Sequence, residues 1–345
     1  MGIALQTVTN ELTHVFLLSV GAFLLAMFLT PIYTFFAYRY RFWKRQRSES
    51  TDGKKLEVFA KFQAAKLRRN IPTMAGVIGV ISIFVVTIFF NLDRAQTWLP
   101  LAALVGGGIV GLIDDIINLR GLGGGAAGLR SPVKFALITL IGVVLGWFFF
   151  AKLGVASFHV PFVGEVNIGW LIVPLFAFAV VATGNAVNIS DGMDGLAGGL
   201  LGISFGAFGV IALLQQHIIL AGFCFTVVGV LLSYLWFNIY PARFFMGDVG
   251  SFAYGACLGV VAMLTDSLLL LPVIGLLFVI EAGSSLTQIV SKKLFKRKIF
   301  LSAPIHHHLE AIGWPETKVT MRFWVIGCVM AFIGVMLALA GGHIA

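Results

Sequence analysis

Charge is scarce in this chain. Of its 345 residues only 11 % are Asp, Glu, Lys or Arg, against about 25 % in an ordinary soluble domain. That deficit excludes a water-soluble enzyme, and with it a disordered or fibrous chain. Cysteine is scarcer still. Cys224, Cys257 and Cys328 lie singly in apolar runs, so they offer neither a metal-ligand spacing nor a disulfide framework. They read as small apolar fillers. Residues 1–13 hold no Lys or Arg, and the apolar run behind them is too long for a cleaved leader. The first span is therefore expected to be retained. No Walker A loop and no dinucleotide-binding glycine fingerprint occurs. The run GLGGGAAG at 121–128 follows no strand and reads as a flexible loop, not a phosphate cradle. Internal repeats and low-complexity tracts are absent by inspection.

What remains is apolar. The hydrophobic fraction is 59 % and the mean hydropathy +0.98. Forty Gly and 32 Phe suit helices that pack closely inside a bilayer. A spanning helix needs about 20 mainly apolar residues. Ten stretches qualify, near 15–37, 72–90, 99–117, 133–151, 168–187, 194–213, 218–236, 251–270, 271–291 and 322–341. The break between 251–270 and 271–291 rests only on Thr265, Asp266 and Ser267. The expected fold is an all-α polytopic integral membrane protein, one domain over 1–345, with about ten transmembrane helices.

The net charge of +9 would suggest nucleic acid in a soluble protein. Here it bears on orientation. Of 24 Lys and Arg, 22 fall in the segments 38–71, 118–134, 237–250 and 291–322; only Arg94 and Lys152 lie on the other side. The positive-inside rule makes the first side cytoplasmic and leaves both termini outside. Segment 38–71 is then a basic cytoplasmic loop. It reads as a topology determinant touching anionic lipid, or as an aid in holding an anionic substrate. Segment 292–321 is a cytoplasmic loop containing histidines.

Acids are costly near hydrocarbon, so their placement carries information. Of eight Asp, five (Asp114, Asp115, Asp191, Asp194 and Asp248) sit at the predicted cytoplasmic ends of three span junctions. Any one alone reads as a helix cap or a solvated loop acid; five on one face point to a site. GLIDDIIN (111–118) ends an apolar helix with two carboxylates about 100° apart, able to serve two roles. NAVNISDGMDGLAGG (185–199) spaces Asn188, Asp191 and Asp194 by three in a turn whose glycines permit close backbone approach. NIYPARFFMGDVGS (238–251) adds Asn238, Arg243, Phe245 and Asp248. KKLFKRKIFLSAPIHHHLEAIGW (292–314) follows a basic run with three histidines. Carboxylates are the hard ligands Mg²⁺ prefers, usually alongside substrate phosphates, and cations stabilise charge on a phosphoryl group in transfer. Three consecutive histidines on a regular helix cannot aim at one ion, so a zinc site is disfavoured against phosphate contact by one or two imidazoles, or plain helix capping. Within FVIEAGSSLTQIV, Glu281, Ser284 or Ser285, and Gln288 share one helical face. That face reads as an interhelical hydrogen-bond cluster or as a polar wall of the site.

The segments GLIDD, NAVNISDGMDGLA, NIYPARFFMGDVGS, FVIEA, APIHHHLE and GWPETKVTMRFW closely resemble the bacterial phospho-N-acetylmuramoyl-pentapeptide transferase family, from about Pro72 to Trp324. The paired-Asp and NxxDGxDGLA motifs resemble those of the wider polyprenyl-phosphate N-acetylhexosamine-1-phosphate transferase superfamily. APIHHHLE and GWPE look specific to the muramoyl branch. The resemblance implies transfer of phospho-N-acetylmuramoyl-pentapeptide from its UDP derivative to undecaprenyl phosphate, giving lipid I and UMP, the first membrane step of peptidoglycan synthesis. It implies Mg²⁺ as cofactor, a multi-pass location in the bacterial cytoplasmic (inner) membrane, contact with membrane lipid, a homodimer and no nucleic-acid partner.

Carried over residue by residue, Asp114 and Asp115 match the paired acids acting on the lipid phosphate, and Asp248 the Mg²⁺ ligand. Asn188, Asp191 and Asp194 match the turn bordering the nucleoside and sugar. Asn238 and Phe245 match the uridine side, with Phe245 placed to stack on uracil. Ala303, His306, His307 and His308 match the loop near phosphates and sugar, His307 being the one expected to be catalytic. Lys134 matches a basic residue near the pyrophosphate, and Thr73 and Gln288 further pocket positions. Three features depart from the family's pattern: Asn118 stands where a Lys is usual, Arg68 replaces a Lys, a planar fork for a point charge, and the run 121–128 is Gly-rich where the family usually has a basic loop. Direct attack by the lipid phosphate and prior attack by an Asp are both compatible with these residues. The nearest alternative activity is N-acetylglucosamine-1-phosphate transfer to a polyprenyl phosphate. An ion-coupled transporter would be expected to carry its polar groups near the bilayer midplane, unlike the acids here.

Overall fold

The computed structural model describes residues 2–43, 70–121 and 128–342. Basic-loop residue Arg68 and most of the 38–71 and 121–128 segments lie outside the described residues. Among the described residues the secondary structure is helical apart from one hairpin. In order it forms α1 (Gly2–Arg39), α2 (Gly76–Phe90), α3 (Trp98–Arg120) and α4 (Ser131–Leu153). After β1 (Ser157–Val160) and β2 (Gly164–Asn167) come α5 (Ile172–Ser190), α6 (Leu196–Leu214), α7 (Ile218–Asn238) and α8 (Gly247–Leu264). The last are α9 (Leu271–Ile274), α10 (Leu276–Phe295), α11 (Ile305–Ala311) and α12 (Glu316–Ala340).

Among the described residues eight helices are long and apolar enough to cross a membrane, nine if the bent pair α9 and α10 counts as one span. That pair turns through 81°, with Gly275 between its helices and Pro272 opening the first. The tenth expected span, α2, has only 15 residues, or about 22 Å at the helical rise, short of a full hydrocarbon core of about 30 Å. The span expected over 251–270 stops earlier. Thr265 and Ser267 fold their hydroxyls back onto carbonyls of the same turn, and a 3₁₀ turn over Leu268–Leu270 follows.

Helix α8 is the hub. Of its most apolar stretch 94 % is buried, against 28 % for α1, α4 and α12. Those three carry outward phenylalanines such as Phe16, Phe28, Phe148 and Phe332, as lipid-facing helices should. Close packing around the hub depends on glycine. A methyl on Gly111 of α3 would lie 2.1 Å from the Asp248 carbonyl oxygen. A methyl on Gly259 of α8 would lie 2.8 Å from the Ala179 carbonyl of α5. Small residues at such contacts let backbones touch where no hydrophobic drive exists between helices. The result clamps α3 and α5 against the two sides of α8.

The hairpin was not expected from an all-helical reading. Its register pairs Ser157 with Asn167, Phe158 with Val166, His159 with Glu165 and Val160 with Gly164.

Candidate active site

The C-terminal ends of α3 and α5 and the N-terminal ends of α4 and α8 meet at one end of the bundle. This brings Asp114, Asp115, Asp248 and Lys134 together. The three carboxylates each bring one oxygen within 4.8 Å of the others, and all three residues are buried. Lys134 Nζ lies 2.9 Å from Asp114 Oδ2 and 2.7 Å from Asp248 Oδ2, with its ammonium also over the Phe252 ring. Asp114 Oδ1 accepts the Leu129 N–H at 2.6 Å, and Asp115 Oδ2 accepts the Val249 N–H at 3.1 Å. Asp248 occupies the first turn of α8, where the helix dipole favours a negative charge.

Buried carboxylates need compensating charge. Three of them against one ammonium leave a formal charge of about −2 when all are ionised. An all-oxygen donor set with that deficit fits a hard divalent cation. Gly247 is required at its place: its φ is +71°, and a methyl there would lie 2.5 Å from Asp115 Oδ2 and 2.9 Å from Thr73 Oγ1. Thr73 is thus part of the same wall. Its carbonyl accepts the Tyr33 hydroxyl.

A second group adjoins the first through α5. Asn188 Nδ2 donates to Ser251 Oγ at 2.9 Å, one turn beyond Asp248 on α8. Asp191 caps the end of α5, half-buried, and Gly192 follows. A methyl on Gly192 would lie 2.4 Å from His306 Nε2 and 3.4 Å from His307 Nε2. The histidine helix α11 is therefore pressed against the NISDGMDG turn. The three histidines diverge, as expected for consecutive helical positions. His306 Nδ1 lies 2.7 Å from Glu281 Oε2, both side chains fully buried. His307 Nδ1 lies 2.7 Å from Glu310 Oε2, and His308 Nδ1 accepts the Leu301 N–H at 3.2 Å. Burial pulls the His307 imidazole below its usual pKa, against an opposing pull from Glu310, so the ring is held towards its neutral form.

Several expected site residues brace the backbone. Asn238 accepts the Gly195 N–H and donates to the Phe244 carbonyl, both at 2.9 Å. Asp194 accepts the Ala242 N–H at 3.0 Å while its own N–H donates to Glu316. Gln288 accepts N–H groups of Ile299 and Phe300 and donates to the Phe300 carbonyl. Ser284 accepts the Ile305 N–H. The polar face of α10 therefore organises residues 299–308, including half-buried Ala303, and so sets the position of α11. Phe245 is only partly buried; its backbone pairs with Pro72 and Ala75. Sequence reasoning missed Glu310, Ser251 and Glu316. Only Glu310 had a signal, its i+3 spacing from His307 on one helix.

Fold and site together define a polytopic membrane protein with a buried carboxylate–lysine centre beside a histidine helix. The glycosyl transferase family 4 model matches residues 97–266, which span the acids from Asp114 to Asp248. The chain is 38 % identical to the phospho-N-acetylmuramoyl-pentapeptide-transferase of Chloroflexus aggregans, covering 99 % of this chain and 94 % of that protein. It is 35 % identical to the protein of the same name from Geobacillus thermodenitrificans, over 91 % of this chain and 94 % of that one. The Oceanobacillus iheyensis counterpart is 35 % identical over 94 % and 98 %. The chain belongs to the phospho-N-acetylmuramoyl-pentapeptide-transferase family.

Proposed function

We propose that this protein transfers phospho-N-acetylmuramoyl-pentapeptide from its UDP derivative to undecaprenyl phosphate, forming lipid I and releasing UMP. The observation that carries the reading is the carboxylate–lysine centre of Asp114, Asp115, Asp248 and Lys134, abutted by the histidine helix. In this reading Asp114 or Asp115 accepts the remaining proton of the lipid phosphate. An oxygen of that phosphate bonds to the β-phosphorus of the nucleotide sugar, and the bond from that phosphorus to the UMP oxygen breaks. Lys134 holds the acids in register and meets the pyrophosphate charge. His307, kept neutral with its Nδ1 hydrogen towards Glu310, has Nε2 as an acceptor for a hydroxyl or amide N–H of the sugar. Asp248, with its neighbours Asp114 and Asp115, would hold Mg²⁺. When bound, that ion supplies electrostatic stabilisation of the leaving phosphate.

The partly buried Phe245 is the stacking surface for uracil in this reading. Asp191 and Asn188 border the sugar. In this reading the site lies on the cytoplasmic face, which the concentration of Lys and Arg on that side supports, of a bacterial inner-membrane protein with ten spans, both termini outside and a homodimeric assembly. The test is release of radiolabelled UMP by the purified protein given polyprenyl phosphate, with and without Mg²⁺. Release should require both, and a large excess of UDP-N-acetylglucosamine should leave it unchanged. Competition by that sugar nucleotide would instead support N-acetylglucosamine-1-phosphate transfer. Asp248→Asn should abolish Mg²⁺-dependent release with the fold intact; near-normal release would remove the metal role from Asp248.

A further inference from the structure

At the far end of α8 from the acid centre lies a second ligand-bearing cluster, which the proposed reaction does not use. The two are separated by the 18 residues of the helix, about 27 Å at the helical rise. His159 on β1 faces Glu165 on β2 as a direct cross-strand pair. Asp266, in the turn after α8, reaches the same point, its backbone held at a φ of +51°. The ligand atoms of His159, Glu165 and Asp266 all lie within 4.8 Å of one another.

The hydrogen bonds around this group fix its polarity. His159 Nε2 is 2.8 Å from the Gly341 carbonyl at the end of α12. A carbonyl only accepts, so that nitrogen carries the hydrogen. In the neutral ring Nδ1 then presents a lone pair, and it faces Glu165 Oε1 at 3.5 Å. Ser157 Oγ donates to the other Glu165 oxygen, Oε2, at 2.7 Å, which turns Oε1 inward. Asp266 is oriented by the His159 N–H, which donates to its Oδ1 at 2.9 Å. Three electron-pair donors thus converge from two chain segments, and a third segment sets the imidazole tautomer. A ligating histidine commonly gives its other N–H to a carbonyl in this way. His159 is buried at 9 % exposure, while the Glu165 side chain is 55 % exposed, so the group opens to water on its Glu165 side.

We propose that His159, Glu165 and Asp266 form a zinc-type divalent metal site that ties the hairpin to the ends of α8 and α12. One imidazole nitrogen and two carboxylate oxygens, with water completing the shell, match Zn²⁺ or Co²⁺. The all-oxygen centre at the opposite end of α8 suits a harder ion. The site is structural: it cross-links the hairpin to two helix ends and touches no part of the proposed reaction, so it stands independently of that reading.

The test uses the full-length protein, stripped with chelator and re-equilibrated in excess Mg²⁺ to fill the acid centre. Wild type should then take up about one Zn²⁺ per chain and melt at higher temperature with it, as metal binding to the folded state alone requires. Co²⁺ should give the visible bands of a low-coordinate nitrogen–oxygen site. His159→Gln should lose uptake and thermal protection alike. Glu165→Gln, which keeps side-chain size, should bind at least about tenfold more weakly. Both variants should retain Mg²⁺-dependent UMP release without zinc. Absence of stoichiometric uptake by wild type would overturn the proposal. So would equal uptake in a folded Glu165→Gln variant, which would place the metal elsewhere.

Discussion

Replacing Gly111 by Ala tests whether the carboxylate centre depends on the closeness of two helices. The added methyl would lie 2.1 Å from the Asp248 carbonyl oxygen, 2.3 Å from its carbon and 2.5 Å from Val249 N. All three are backbone atoms of the first turn of α8, so no side chain can swing away. Carbon and oxygen atoms need more than about 3.2 Å, so α3 and α8 must part by about 1 Å. Gly111 stands one turn before Asp114 and Asp115, and its clash falls on the residue that supplies the third carboxylate. The separation therefore passes directly into the distances among the three acids. A misplacement of about 1 Å in a reacting constellation costs on the order of 100-fold in rate, and overpacking of this kind destabilises by about 1–3 kcal/mol. The assay is the initial rate of UMP release at saturating substrates, paired with a thermal melt in detergent. Gly106→Ala on the same helix meets only the flexible end of Ile141 at 3.2 Å, and Gly202→Ala meets nothing within 4 Å; both should stay within about threefold of wild type. The expected result for Gly111→Ala is a fall of about 100-fold in kcat with the protein still folded. A folded Gly111→Ala variant with activity equal to the two controls would refute the argument.

Lys134→Met removes the only ammonium contacting Asp114 and Asp248 among the described residues. It should lower the melting temperature without Mg²⁺ and enlarge the thermal protection that Mg²⁺ gives; equal protection in wild type and variant would show that lysine and cation do not share a site. Asn238→Ala strands a buried N–H and a buried carbonyl, a loss of about 1–3 kcal/mol for each group, and should appear chiefly as lower thermal stability. Phe245→Ala, at a partly exposed ring, should leave the melt unchanged and raise KM for the nucleotide sugar. The reverse pattern would exchange the roles given to these two residues. His307 is held below its ordinary pKa by burial, so the folded protein binds fewer protons there than the unfolded chain. Stability from this residue is present above its unfolded value, about 6.5, and is lost as pH falls through the lower folded value. His307→Gln should therefore lose less melting temperature than wild type between about pH 7 and about pH 5; an equal loss would assign the acid sensitivity to other groups.

How much of this was legible in the chain depended on length scale. A stretch of 20 apolar residues announces a helix wherever its neighbours lie, and each of the ten expected spans has a helical counterpart here. The exact ends did not show. α8 ends where Asp266 takes a φ of +51° and Ser267 Oγ donates to the Thr265 carbonyl, while hydropathy averages across these residues. Strands of four residues, SFHV and GEVN, are too short to set up a visible alternation, so the hairpin was missed. The metal-type cluster was missed with it: His159, Glu165 and Asp266 are single polar residues in unrelated segments until the pairing brings them face to face.

The candidate site divides along a similar line. That Asp114, Asp115 and Asp248 would gather was readable, because acids at the ends of apolar helices have few places to go. Which polar residues face a ligand was not. Asn238, Asp194 and Gln288 have the same composition signal as Asp248, yet their polar atoms engage backbone N–H and carbonyl groups of the loops. The physical cause is that a loop at the end of a membrane bundle must satisfy its own backbone before it can present anything to a substrate. Side-chain amides are well suited to that task, since one group both donates and accepts. An ionised carboxylate accepts only, so a buried cluster of carboxyl groups must share protons or draw in N–H groups, ammonium or metal. The Asp114, Asp115 and Asp248 cluster draws on Leu129 N–H, Val249 N–H and Lys134, and its remaining negative charge is what a divalent cation would offset. A donor–acceptor tally at each loop thus separates bracing residues from reactive ones, and it needs the fold because the partners are backbone groups that no motif names.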